Sequence, residues 1–191
     1  MTTQAWAVLL GAYLLGSIPS AYLVARFVAG VDIRQVGDGN MGAKNTFESV
    51  GWLPGLVVGA ADVGKGALAV AMARHFNLPE KVVLWAGACV VLGHDFPLFL
   101  RFRDGQGMAA MIGVFGVLFP YEMGVALLVL AVALAITHNW DLSCGIGFGL
   151  LPVLLGFSGR PIKQTLYPVL LLPTIGLKKL LAAYRARRAA A

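Results

Sequence analysis

Apolar runs long enough to cross a lipid bilayer recur along nearly the whole of this chain, with only short polar interruptions between them. A helix needs roughly 20 residues to span the hydrocarbon. Seven runs stand near or below that length, at 4–29, 52–76, 82–100, 108–119, 121–137, 142–157 and 165–182. Backbone groups in lipid must be satisfied within their own segment, so these runs are expected to be helices. The fold class is therefore all-α: a polytopic membrane helical bundle of about seven helices, forming a single integral membrane domain over 1–191. The runs at 108–119 and 142–157 are short and are expected to be half-helices or tucked spans. Only 13% of the 191 residues are charged and 59% are hydrophobic, against roughly a quarter charged in a soluble domain. That balance excludes a separate soluble domain. No Lys or Arg precedes the first run and no cleavage-site pattern ends it, so it reads as a retained helix and not as a secretory signal. Cys89 and Cys144 fall inside apolar runs and read as small buried hydrophobes, not as a disulfide or a metal site.

The net charge of +6 is unevenly spread. With seven crossings and the N-terminus outside, Arg26, Arg34, Lys44, Arg101, Arg103, Lys178, Lys179, Arg185, Arg187 and Arg188 face the cytoplasm, and Arg74, Lys81, Arg160 and Lys163 face out. Basic residues collect on the inner side of membrane proteins, so the chain is expected in a bacterial inner membrane, N-terminus outside and C-terminus cytoplasmic. The basic tail reads as a stop and anchor against anionic headgroups. Membrane lipids are the expected surroundings; no nucleic-acid partner is implied, and the oligomeric state is left open.

Polar residues and glycines interrupt the apolar pattern in three places. The first is Val31 to Asn45, where Gly37, Gly39 and Gly42 with Asn40 and Asn45 can turn successive N–H groups toward one point. Such a nest cradles an anion, while an ordinary Gly/Asn turn is the competing account. The second is Asp62-Val63-Gly64-Lys65-Gly66, where Asp62 and Lys65 share one helical face. An intramembrane ion pair marks either a site or a helix contact. The third runs from Leu92 to Ala109: His94 and Asp95 precede a Pro97 break, a basic edge follows, and Gly105-Gln106-Gly107 opens a short helix whose N-terminus favours an anionic group. His138, Asp141 and Asp95 match no standard metal spacing.

Taken in order, these residues resemble the PlsY family of bacterial acyl-phosphate:glycerol-3-phosphate acyltransferases. The resemblance is carried by Gly16-Ser17-Ile18-Pro19-Ser20-Ala21-Tyr22-Leu23, Asp32-Ile33-Arg34, Gly37-x-Gly39-Asn40-x-Gly42-Ala43-x-Asn45, Asp62-x-x-Lys65-Gly66, Leu92-Gly93-His94-x-Phe96-Pro97 and Gly105-x-Gly107. It implies a compact bundle of seven helices whose cytoplasmic loops build a site at the membrane surface. It also implies transfer of an acyl group from acyl phosphate to glycerol 3-phosphate or a related hydroxyl acceptor, without a metal or other cofactor. On that resemblance Asp38, Asn40 and His94 are the catalytic candidates. Gly37, Gly39, Gly42, Asn45, Asp62, Lys65, Gly105, Gln106 and Gly107 are the substrate-binding ones. Acyl transfer needs donors for a developing oxyanion and a positive pocket for phosphate; the amides of Gly39, Asn40 and Gly42 are the expected donors. Asp38 is the expected general base, provided burial desolvates it.

The chain departs from the family at polar positions. Asp38 stands where the family has serine, Lys44 where it has threonine, Glu48 where it has arginine and Gln106 where it has lysine, with Asp104 in place of a glycine. Asp38, Glu48 and Gln106 together remove four units of positive charge, and Lys44 returns one. A single inverted contact is worth roughly 4 kcal/mol at about 4 Å and an effective dielectric near 20. Two other readings follow from these departures: an acyltransferase for an uncharged or cationic hydroxyl acceptor, and a catalytically inactive relative that binds lipid or a partner.

Overall fold

The computed structural model describes residues 1–100 and 107–174, and among these there are nine α-helices and no strand. They are α1 (Thr3–Ser17), α2 (Ser20–Ala29), α3 (Ala43–Ser49), α4 (Trp52–His75), α5 (Glu80–Asp95), α6 (Met108–Leu118), α7 (Pro120–Thr137), α8 (Trp140–Phe157) and α9 (Ile162–Leu171). Five stretches are long and apolar enough to cross a membrane: Thr3–Ala29, Trp52–His75, Glu80–Leu100, Pro120–Thr137 and Trp140–Phe157. The first is broken, because Pro19 has no N–H to donate back into the helix. The 142–157 run was expected to be too short to span. It gains Trp140 and Asp141 because Asn139 caps the helix, its Oδ1 accepting the Leu142 N–H at 3.0 Å, and the result is an 18-residue helix. Helix α6 is short, at 11 residues. The last expected run, 165–182, passes beyond residue 174, and within the described residues α9 begins just after Pro161.

Lipid supplies no hydrophobic drive between helices, so close approach depends on small residues at the crossings. Helix α6 meets α4 through two of them: a Cβ on Gly113 would strike the Val63 carbonyl, and one on Gly66 would strike the Ala110 carbonyl. Helices α1 and α5 likewise lie close together, and the Tyr13 hydroxyl donates to the Phe96 carbonyl at 2.9 Å, fastening α1 to the end of α5. Where the helices converge, Phe115 is fully buried, with the rings of Phe119, Phe148 and Tyr167 around it. Large apolar side chains such as Trp6, Phe27, Leu128, Ile136 and Leu170 remain exposed, as a lipid-facing surface requires.

The polar connections sort to two ends. At one end Arg74 donates to the Val117 carbonyl at 2.8 Å, Arg160 pairs with the buried Glu122 at 3.0 Å, and Gln164 donates to Glu80. At the other end lie the 30–42 loop, the last turn of α5, the start of α6 and the α7–α8 turn, and there they enclose a pocket.

Candidate active site

The pocket begins with the loop after α2. Asp32 folds back on Arg34, accepting its N–H at 3.1 Å and its guanidinium at 2.9 and 2.6 Å, and the guanidinium sits over the Tyr22 ring. The Arg34 guanidinium holds the Asp32 carboxyl below the usual carboxylate range. Gly37 and Gly39 then take left-handed backbone at φ 60° and 72°. Gly42 is extended at φ −125°, and a short helix, α3, starts directly after it. The left-handed turning is thus confined to two glycines, and Asn40 and Asn45 do not share it.

Asn45 is fully buried and organises this loop. Its Nδ2 donates to the carbonyls of Ile33, Val36 and Asn40 at 3.2, 3.0 and 2.9 Å, and its Oδ1 accepts from the Asp38 N–H and the Ser49 hydroxyl. With its polar atoms so engaged, it shapes the loop from behind and does not line the pocket. Of the three amides expected as oxyanion donors, two are already taken. The Gly39 N–H donates to the Val36 carbonyl at 3.1 Å, and the Asn40 N–H donates to Asp38 Oδ1 at 2.9 Å. The Gly42 N–H has no acceptor among the described residues, and neither has the Asn40 side-chain amide. Asp38 is exposed, so the desolvation that a general-base role would need is not there.

The second cluster is buried. Asp62 and Lys65, one turn apart on α4, pair at 2.8 Å, and Lys65 Nζ also donates to the Ile18 carbonyl at the α1–α2 break. The proline break and the lysine are therefore two halves of one contact. His94, in the last turn of α5, brings Nδ1 to 3.7 Å from Asp62 Oδ1. Lys65 holds Asp62, and Asp62 faces His94. Beside them Gly107 takes φ 65°, where a Cβ would lie 2.7 Å from Asp95 Oδ1; only glycine opens α6 there without strain.

These parts face a pocket of about 330 Å³. Its polar end is lined by Asp38, Asn40, Lys44, Asp62, His94 and Asp141, and its wall by Met108, Ile112, Leu127, Leu130 and Phe148. Among the sequence-predicted residues, Asp38, Asn40, Gly42, Asp62, His94 and Gly107 line it, while Gly37, Gly39, Asn45 and Lys65 stand behind. Gly105 and Gln106 lie outside the described residues. The sequence reading did not name Lys44, Trp140, Asp141 or the apolar wall as site residues. The break between the 121–137 and 142–157 runs marked the α7–α8 turn, but nothing in its spacing showed which way it faced. Among the described residues no three His, Cys, Asp or Glu side chains gather as a metal site.

A polar end with hydrogen-bond donors and an oriented histidine, joined to an apolar channel, suits a molecule with a charged head and a long tail. Residues 6–189 match the family described as glycerol-3-phosphate acyltransferase. The chain is 43% identical over 176 residues to glycerol-3-phosphate acyltransferase 1 of Dehalococcoides mccartyi, covering 89% of this chain and 85% of that protein. It is 49% identical over 120 residues to glycerol-3-phosphate acyltransferase of Thermus thermophilus, covering 63% of this chain and 59% of that protein. The crystal structure of PlsY, an integral membrane glycerol 3-phosphate acyltransferase, in its glycerol 3-phosphate form superimposes with a TM-score of 0.87 at 27% identity, covering 97% of this chain and 93% of that one. The lysophosphatidic acid form gives a TM-score of 0.84. A family match over most of the chain, relatives 43–49% identical and a fold match agree: this chain belongs to the glycerol-3-phosphate acyltransferase family of integral membrane proteins.

Proposed function

We propose that the chain transfers an acyl group from acyl phosphate to the hydroxyl of glycerol 3-phosphate, or of a related acceptor, with the polar end of its pocket at the cytoplasmic face of a bacterial inner membrane. The observation that carries this reading is the pocket itself, whose apolar wall from α6, α7 and α8 ends against Asn40, Gly42 and His94. An acyl tail lies along the wall, which places its carbonyl among the donors.

The step is a substitution at the acyl carbon. The acceptor hydroxyl oxygen forms the new ester bond, the C–O bond to phosphate breaks, and inorganic phosphate leaves. The hydroxyl proton passes to His94, which Asp62 orients, and from there to the departing phosphate. The Asn40 side-chain amide and the Gly42 N–H take the developing oxyanion. Asp38 has a different task from the expected one: it caps the Asn40 N–H and keeps the loop in shape. Lys65 acts at one remove, through Asp62.

Charge supports the cytoplasmic placement of this end, to which the sequence assigns ten Lys and Arg against four on the other side. Arg26, Arg34 and Lys44 lie there, and the relatives named above are bacterial.

The test is turnover by the purified protein in lipid nanodiscs, with labelled glycerol 3-phosphate and, in parallel, neutral alcohols and diols as acceptors. Lysophosphatidic acid appears from acyl phosphate and glycerol 3-phosphate, and His94→Ala abolishes it. No acylated product with any acceptor sinks the reading; product with neutral acceptors alone moves the substrate to the uncharged class.

A further inference from the structure

Lys44 sits at an unmatched position of the Gly37–Asn45 motif, yet it lines the pocket. Among the described pocket-lining residues it is the one Lys or Arg. The other cations described near this end are committed elsewhere. Lys65 is 7% exposed and held by Asp62 and the Ile18 carbonyl, and Arg34 is clamped on Asp32 and laid over Tyr22. We propose that Lys44 is the cation that receives a substrate phosphate in this chain and that Glu48 is its resting counter-ion. The proposal rests on the acyl-transfer reading above and deepens it.

Three observations support it. Lys44 stands in the first turn of α3, two residues after Gly42 and next to Ala43, and all three line the pocket. Its only charged partner among the described residues is Glu48, one helical turn on, at 3.8 Å, with the two side chains 47% and 55% exposed. An exposed pair of that length contributes little and is readily exchanged, and a phosphate offers more charge and better-placed acceptor oxygens than one carboxylate. Finally, Asp38 lines the same end with its carboxylate fixed on the Asn40 amide. A phosphate pressed into the glycine turn would meet that carboxylate, whereas a phosphate toward α3 meets Lys44.

The experiment uses full-length protein in lipid nanodiscs, with acyl phosphate and glycerol 3-phosphate varied separately. Lys44→Met raises the KM of one of them by about tenfold or more while kcat changes far less, and the substrate whose KM moves is the one Lys44 holds. The salt dependence of that KM disappears in Lys44→Met. Lys44→Arg retains most of the affinity. Glu48→Gln lowers the same KM by roughly twofold and has no effect once Lys44 is methionine, a result that a purely structural role would not give. Wild-type turnover with both KM values unmoved in Lys44→Met overturns the assignment and leaves the acyl-transfer reading intact. If wild type shows no turnover, that reading fails, and calorimetric titration with glycerol 3-phosphate and with inorganic phosphate decides Lys44 by itself. Binding to wild type that is lost in Lys44→Met supports it; equal binding, or none to wild type, overturns it.

Discussion

The Asp62 carboxylate is buried, faces an ammonium on one side and an imidazole on the other, and therefore tolerates no change of charge that its neighbours do not share. Asp62→Asn strands the Lys65 ammonium and is expected to cost about 3–5 kcal/mol, as is Lys65→Met, which strands the carboxylate. The double variant Asp62→Asn/Lys65→Met recovers much of that stability in thermal unfolding but stays inactive, because His94 has lost the group that orients it. On the proposed mechanism Asn40→Ala removes one oxyanion donor, and the expected result is a kcat lowered by roughly a hundredfold at nearly unchanged KM. Asp32 gives a pH signature of defined sign. Its carboxyl is held below its ordinary 3.8, so its support of the loop is complete above that pH and fades as pH falls through the lower folded value. Asp32→Asn therefore loosens the loop at neutral pH, read as faster proteolysis between residues 30 and 42. The sequence made His94, Asp62 and Asn40 visible because polar groups in an apolar chain stand out. It did not separate Asn45 and Lys65, which stand behind the pocket, from the residues that line it, since composition cannot distinguish the two.

Among elements, the break between α1 and α2 and the crossing of α4 with α6 do the positioning. Pro19→Ala lets the helix run on through residue 18, so its carbonyl turns into the helix and away from Lys65; the expected result is retained insertion with activity reduced at least tenfold, in proportion to lost geometry at Asp62. At the crossing, Gly113→Val forces α6 off the α4 backbone and is expected to abolish folding, whereas Gly116→Val meets nothing within 4 Å and is tolerated. Thermal unfolding in detergent separates the two. The spans themselves were legible from apolar length and the α6 half-helix from its shortness. Helix α3 was not, because seven residues behind a glycine turn carry too little periodicity to tell from loop. The extent of α8 was hidden by its cap, which makes Trp140 and Asp141 helical although Asp141 is more polar than a span normally begins with.

For the whole molecule the polar connections divide between two ends, and the pocket belongs to one of them. With the pocket end in the cytoplasm, a cysteine placed at Lys44 is labelled only after the inner membrane is permeabilised, while cysteines at Lys81 and Lys163 are labelled in intact cells; the opposite pattern would invert the topology argued from charge. Helix α6 rises about 16 Å for its 11 residues, well short of a hydrocarbon core of about 30 Å. Because its far end meets Arg74 at the other polar end, in a bilayer its first residues and the channel of Ile112, Leu127, Leu130 and Phe148 would lie at the depth of the fatty tails. Drawing a tail of about fifteen methylenes into water would cost roughly 12 kcal/mol, at about 0.8 kcal/mol each. On the proposed function, a donor that slides sideways out of the leaflet, with only its head turning toward His94, never meets that barrier.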